Sequence, residues 1–318
     1  MNKRTIAGHL MSVLTILIWG TTYVSTKVLL KDLQPIEILF YRFLLGYIAL
    51  ICAYPRFQRS GSWKEEWLFC GAGVSGITLY FLVENIALKY TYASNAGLLI
   101  AIAPIVTAVL AHLFSHDEKF GANLAAGFII AMIGIFLVLF NGRFILNINP
   151  LGDLLALLAA FVWSVYSILL KKIGNRYHQI LITRRIFFYG LLTILPLLAG
   201  AKAELDFGLL LRPGIFYNIL FLGLAASALC FVMWNTAVSL IGVVKTSNYI
   251  YLVPLITIAS AAMVLQERIT NTMLLGAILI LSGVYLGGKG RGRFRVLKLA
   301  SRESPPKSKD PFPEHSDS

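Results

Sequence analysis

Charge is scarce in this sequence: Asp, Glu, Lys and Arg make up only 14% of its 318 residues. A soluble domain carries about 25%. Too little polar surface would remain to keep such a chain dispersed in water, whereas lipid tails are as apolar as the side chains themselves. Cysteine is scarce too. Cys52, Cys70 and Cys230 each lie inside an apolar run. An odd number in such places excludes a disulfide framework, and no metal-ligand spacing joins them. The phosphate-cradling pattern G-x-x-x-x-G-K-[ST] is absent, which removes a nucleotide-driven pump. Short segments of alternating apolar and polar residues are absent, which removes a membrane β-barrel. Clustered His, Asp or Cys at mid-depth are absent as well, which leaves an intramembrane enzyme unsupported. No cofactor is implied.

Long apolar runs are what the sequence has instead, at 58% hydrophobic residues. A helix needs about 20 mostly apolar residues to cross roughly 30 Å of hydrocarbon. Ten runs qualify: 9–30, 36–55, 67–88, 93–114, 122–140, 152–170, 183–199, 215–238, 243–265 and 272–288. Backbone polar groups in lipid must be paired within the segment, so each run is expected to be a helix. The seventh is the weakest, being short and opening on Arg184 and Arg185. The expected fold class is an all-α polytopic membrane protein of ten transmembrane helices. The first run follows Lys3 and Arg4 but is too long for the apolar core of a signal peptide, and no small-residue cleavage site follows it.

The formal net charge is +13. On a soluble chain it would suggest nucleic acid. Here the basic residues sit between apolar runs, so the positive-inside rule accounts for them. With the N-terminus in the cytoplasm, Lys and Arg divide 20 inside against 7 outside, Arg42 lying within a span. Both termini are therefore expected in the cytoplasm, in a multi-pass cell-membrane protein. Residues 289–318 are rich in Lys, Arg, Ser and Pro and are expected to form a disordered, solvated tail, with anionic lipid heads as a weaker alternative contact.

An internal match goes further than hydropathy. Trp19 and Lys27 recur as Trp163 and Lys171, at a lag of 144. Gly73, Leu79, Phe81, Asn85, Ala87, Pro104 and Thr107 recur as Gly223, Leu229, Phe231, Asn235, Ala237, Pro254 and Thr257, at a lag of 150. Glu118, Gly127 and Gly134 recur as Glu267, Gly276 and Gly283, at a lag of 149. Residues 1–141 and 142–288 thus read as two copies of a five-span unit. Five is odd, so the second copy enters the membrane from the opposite side. Such inverted repeats commonly serve alternating access around a site near the midplane.

The residues WGTTYVSTK at 19–27, NAGLLIAIAP at 95–104, and a Glu after the fourth and ninth spans resemble the EamA-type branch of the drug/metabolite transporter superfamily. The resemblance runs from residue 9 to 288. It implies export of amino acids, their derivatives or other small metabolites. It also implies a cavity lined by the first, third, fourth, sixth, eighth and ninth spans. Related members handle lipids and lipid-linked sugars, so a flippase is the alternative. A membrane scaffold or receptor is a third reading, though it would need neither inverted halves nor paired prolines.

Candidate site residues follow from helical spacing and from the cost of polar groups in lipid. Trp19 and Tyr23, with Thr22, Thr26 and Lys27, share one face of the first span, and Trp163 and Tyr166, with Ser167 and Lys171, share one face of the sixth. Both faces suit a wet cavity better than lipid, although helix packing is the plainer use of an aromatic stripe. Tyr80 and Glu84 lie one turn apart, followed by Asn85. A carboxylate there must be paired, protonated or wet. Glu84 could bind a substrate amine or take a coupling proton, against the alternative of an ion pair with Arg42, Lys27 or Lys89. Arg42 could hold a substrate carboxylate, but the resemblance places its span outside the cavity, which favours packing and pairing. Pro104 and Pro254 sit at mid-span, where a freed carbonyl makes a hinge or a static kink. Asn95, Asn248, Tyr249 and Tyr251 flank them. Trp234 and Asn235 stand where the first half has Glu84 and Asn85. His112 and His116, beside Asp117 and Glu118, are one turn apart, but nothing in the sequence supplies a third metal ligand. Glu118 and Glu267 read as helix-boundary residues. The expected partners are a small-molecule substrate, membrane lipid and a coupling proton.

Overall fold

The computed structural model describes residues 3–56, 58, 61–115, 122–140, 150–174, 176–203 and 205–289. His116, Asp117, Glu118, the His112 side chain and the tail beyond residue 289 lie outside the described residues. Among the described residues the secondary structure is helical throughout, with no strand.

The helices are α1 (Lys3–Leu29), α2 (Pro35–Ala53), α3 (Trp63–Tyr90), α4 (Ala93–Ile100), α5 (Ala103–Ser115), α6 (Ala122–Phe140), α7 (Pro150–Ile173), α8 (Gln179–Gly200), α9 (Pro213–Ile241), α10 (Val243–Ser247), α11 (Val253–Val264) and α12 (Asn271–Lys289). Eight helices among the described residues are long and apolar enough to cross a membrane; α4 with α5 counts as one, and so does the stretch through α10 and α11. The weak seventh run is an ordinary 22-residue helix, α8. Its Arg184 is buried but costs little, because its two terminal nitrogens donate to the carbonyls of Tyr54 and Arg56 at 2.7 Å.

Helix starts follow local chemistry. Pro35 opens α2, where a missing N–H is harmless, and Glu37 Oε2 accepts from the Gln34 N–H at 2.8 Å. Ser62 caps α3 by accepting from the Glu65 N–H. Within α3 and α9, small-residue stretches widen into π turns at Val74–Leu79 and Phe221–Leu229. Such turns often mark functional sites, and this pair stands just ahead of Tyr80 and Cys230.

The two prolines behave differently from a mid-span kink. In both places the helix stops and restarts. The turn at Ala101 and Ile102 separates α4 from α5, and the tight helix Asn248–Leu252 precedes α11. Pro104 and Pro254 then occupy the first turn of the new helix. Proline is tolerated there because the first-turn N–H groups have no intrahelical acceptor anyway.

Packing is dense where side chains vanish. A Cβ on Gly134 would stand 2.7 Å from the Gly276 carbonyl, and one on Gly283 would stand 2.4 Å from the Gly127 carbonyl. Small residues let backbones meet this closely, which replaces the hydrophobic drive that lipid removes. Elsewhere α1 packs on α9 and α11, α3 and α5 on α7, and α2 on α8 and the π turn of α9.

Candidate functional site

A cavity of about 30 Å³ lies between α1, α2, α3, α7 and the two helix breaks. That is room for about one or two waters. α1 supplies Trp19, Thr22 and Tyr23 by its three-and-four spacing, α2 supplies Arg42, and α3 supplies Tyr80, Phe81 and Glu84. α7 supplies Trp163, and the breaks supply Ile100, Ala103, Ile250 and Val253.

The chamber is small because aromatic rings fill its surroundings. Trp19 meets Trp163 edge-on with centroids 5.3 Å apart, and Trp234 at 5.1 Å. Trp163 also touches Tyr80 and Tyr166, each at 4.9 Å. Such pairs contribute about 0.5–1.5 kcal/mol each beyond area burial. The Trp19 indole N–H donates to the Ala226 carbonyl at 2.9 Å. The Trp163 indole N–H is buried with no hydrogen-bond partner among the described residues.

The polar wall is unusual. Tyr80 donates its hydroxyl to Glu84 Oε1 at 3.2 Å, and the Tyr23 hydroxyl sits against both. Among the described residues Glu84 makes no ion pair with Arg42, Lys27 or Lys89. Arg42 is 1% exposed. Its Nε donates to Ser227 Oγ at 3.1 Å, and its guanidinium lies over the Phe81 ring at 4.3 Å. Both terminal nitrogens, Nη1 and Nη2, have no hydrogen-bond partner among the described residues. Leaving a buried charged donor unmade costs more than about 1–3 kcal/mol. The family resemblance implies that the span carrying Arg42 lies outside the cavity, which favours packing and pairing for this residue. The structure puts it on the cavity wall, because α2 packs against the π turn of α9 at Ser227.

The other expected residues divide. Trp19, Tyr23, Tyr80, Glu84 and Trp163 line the cavity. Trp234 and Tyr166 stand one layer behind in the aromatic cluster, and the Tyr166 hydroxyl donates to Asn235 Oδ1 at 3.2 Å. Asn85 turns away, its Nδ2 donating to the Pro35 carbonyl at 3.1 Å. Tyr249 is half-buried and shares a 2.7 Å hydrogen bond with His9 Nδ1. Pro104 and Pro254 are not on the wall, but their immediate neighbours Ala103 and Val253 are.

Asn95 belongs to a separate seam. Its Nδ2 lies 3.5 Å from Thr91 Oγ1, which donates to Asp153 Oδ1 at 2.5 Å. Lys27 donates to the Thr91 carbonyl. Glu267 does more than mark a helix boundary: its carboxylate accepts from the Ala93 and Ser94 backbone N–H groups at 2.9 and 3.2 Å. A carboxylate suits the positive end of a helix, and here it caps α4 from the far end of the chain. Phe81 and the break residues were not foreseen as lining residues. A pattern of paired helix breaks ahead of prolines was the one signal that could have found the last of these.

The chain matches the EamA-like transporter family twice, over residues 6–140 and 150–287. It belongs to that family, and is therefore a multi-pass membrane transporter rather than an enzyme. An uncharacterized transporter of Archaeoglobus fulgidus is 32% identical over 296 residues, 90% of this chain and 98% of the relative. A protein of Escherichia coli named a "probable amino-acid metabolite efflux pump" is 24% identical over 302 residues, 92% of this chain and 98% of the relative. A solved crystal structure superposes with a TM-score of 0.67 at 18% identity, covering 90% of this chain and 98% of its own; it supports the fold alone.

Proposed function

We propose that the chain is a secondary exporter of amino acids or their derivatives, working by alternating access around the cavity described above. Residues 1–141 and 142–288 form two five-span halves of opposite orientation, and 289–318 form a cytoplasmic tail. In support of two related halves, the family matches twice in tandem. The packing pairs also map onto themselves when the halves are exchanged: α1 on α9 becomes α7 on α3, and Gly134 on Gly276 becomes Gly283 on Gly127. The observation that carries the functional reading is the cavity's position. Trp19 and Trp163, Ile100 and Ile250, and Ala103 and Val253 line it from equivalent places in the two copies. A chamber on such a seam can open to either side as the halves exchange conformations.

At about 30 Å³ the cavity must widen to admit a solute, and exchange between the halves would supply that widening. The name of the Escherichia coli relative favours amino-acid metabolites as cargo. A carboxyl at Glu84, braced by Tyr80 and Tyr23, is the group best placed to carry a coupling proton.

The test is transport by the full chain in proteoliposomes, using labelled amino acids with and without a pH gradient. Trp19→Ala should raise KM about tenfold or more, because one face of the chamber is lost, while membrane insertion stays normal. Unchanged kinetics in that variant would remove the cavity from the transport path.

A further inference from the structure

Two arginines are buried among the described residues, in α2 and α8, and they are treated differently. Arg184 is 5% exposed, and both of its terminal nitrogens meet backbone carbonyls. Arg42 is buried still deeper, yet its two terminal nitrogens find no hydrogen-bond partner among the described residues. The rest of the Arg42 head is in contact. Ser227 takes its Nε hydrogen, and Phe81 and Phe43 lie at 4.3 and 5.1 Å from its guanidinium carbon. Stacking covers the flat faces of a guanidinium and leaves its edge for planar, bidentate acceptors. The residue lines the cavity. Glu84 shares that wall without pairing to it, Tyr80 is engaged with Glu84, and Cys230 is the remaining titratable neighbour.

A structural arginine would be satisfied by its neighbours, as Arg184 is. One that is stacked, oriented and left with two free donors at a cavity wall is arranged for an acceptor that arrives from outside. We propose that Arg42 is the carboxylate anchor of the transported solute, and that Glu84, once it has released the coupling proton, receives the solute's ammonium group together with Tyr80 and Tyr23.

The site would then take a zwitterion carrying an α-amino-acid head, with its apolar side chain against Trp19, Trp163 and Phe81. The charge arrangement explains why Arg42 and Glu84 do not bond directly: a bridge between them would occupy the donors and acceptors that the solute needs. A fork-to-carboxylate contact is charge-assisted and bidentate, so a neutral amide in place of the carboxylate loses most of it. The proposal rests on the reading that this cavity is the transport site.

The experiment uses the full chain, with phenylalanine and leucine compared against phenylalaninamide and leucinamide. Binding is read from tryptophan fluorescence, since Trp19, Trp163 and Trp234 surround the site, and transport from counterflow in proteoliposomes. In the unaltered chain the amides should bind about ten- to a hundredfold more weakly than the acids. Arg42→Gln should bring acid and amide to parity, mainly through KM, and Arg42→Lys should keep part of the preference because it keeps the charge without the fork. The comparison of acids with amides in the unaltered chain needs no variant to fold. Amides that match the acids there, or a preference that survives Arg42→Gln, would overturn the assignment. If that happens while Trp19→Ala still weakens both solutes, only the role of Arg42 falls. If neither acids nor amides quench or exchange, the amino-acid reading of the cavity falls, and this assignment goes with it.

Discussion

The two walls of the cavity are built on equivalent backbone but carry different chemistry. The first half contributes Thr22, Tyr23, Arg42, Tyr80 and Glu84, which are all of the hydroxyls and charges on the lining. The second half contributes Trp163, Ile250 and Val253. Where the first half has Tyr80 and Glu84, the second has Cys230 and Trp234; where it has Tyr23 and Arg42, the second has Ser167 and Ile186. What the copies share is the frame: the π turns, the helix breaks before proline, and the glycine crossings of α6 and α12. What they do not share is the set of groups that would hold a solute. A frame built for exchange between two states needs halves of similar shape. Binding a molecule with unlike ends needs unlike walls.

Three tests break or sharpen that comparison. The largest effect is all-or-none and concerns the frame. Reporter tags placed ahead of α1 and within 141–149 should mark opposite compartments, the first in the cytoplasm. Tags in one compartment would end the opposed-halves reading, since five spans must reverse the chain. The next concerns the charged wall. Glu84→Gln should flatten the pH dependence of transport and slow it at least about tenfold, an effect of the size expected for a buried charged group; proton-coupled flux fully retained by the variant would take the proton role from Glu84. The smallest concerns a matched pair. Tyr80→Phe should change KM severalfold, through loss of a hydrogen bond worth about 0.5–1.5 kcal/mol. Cys230→Ala at the equivalent place should move it by less than about twofold, because it removes no bond to a solute. Equal effects in these two variants would mean that the polar wall is not one-sided.

Much of this was legible beforehand, for identifiable reasons. Trp19 and Trp163 stood out because Trp is scarce and the two recur at one lag. Glu84 stood out because a carboxylate in an apolar run always needs explaining. Arg42 was misjudged, because the helix that carries it gives no hint that a stacked guanidinium reaches the cavity edge. Asn85 and Asn95 stand off the cavity lining, Asn85 Nδ2 donating to the Pro35 carbonyl and Asn95 Nδ2 lying 3.5 Å from the Thr91 hydroxyl, contacts that nothing near them in sequence reveals. Glu267 was under-read, because nothing near it in sequence reveals that it caps α4.

Hydropathy and the repeat lag, both local in origin, determined that the chain is helical, crosses a membrane several times and is built from two similar parts. Lipid leaves the backbone no alternative to pairing within each helix, so composition alone settles that much. Which polar groups are satisfied and which are left unmet was decided only by tertiary contacts. A hydrogen bond from Arg184 to Tyr54 and the absence of one at Arg42 Nη1 depend on helices that meet across more than a hundred residues of chain.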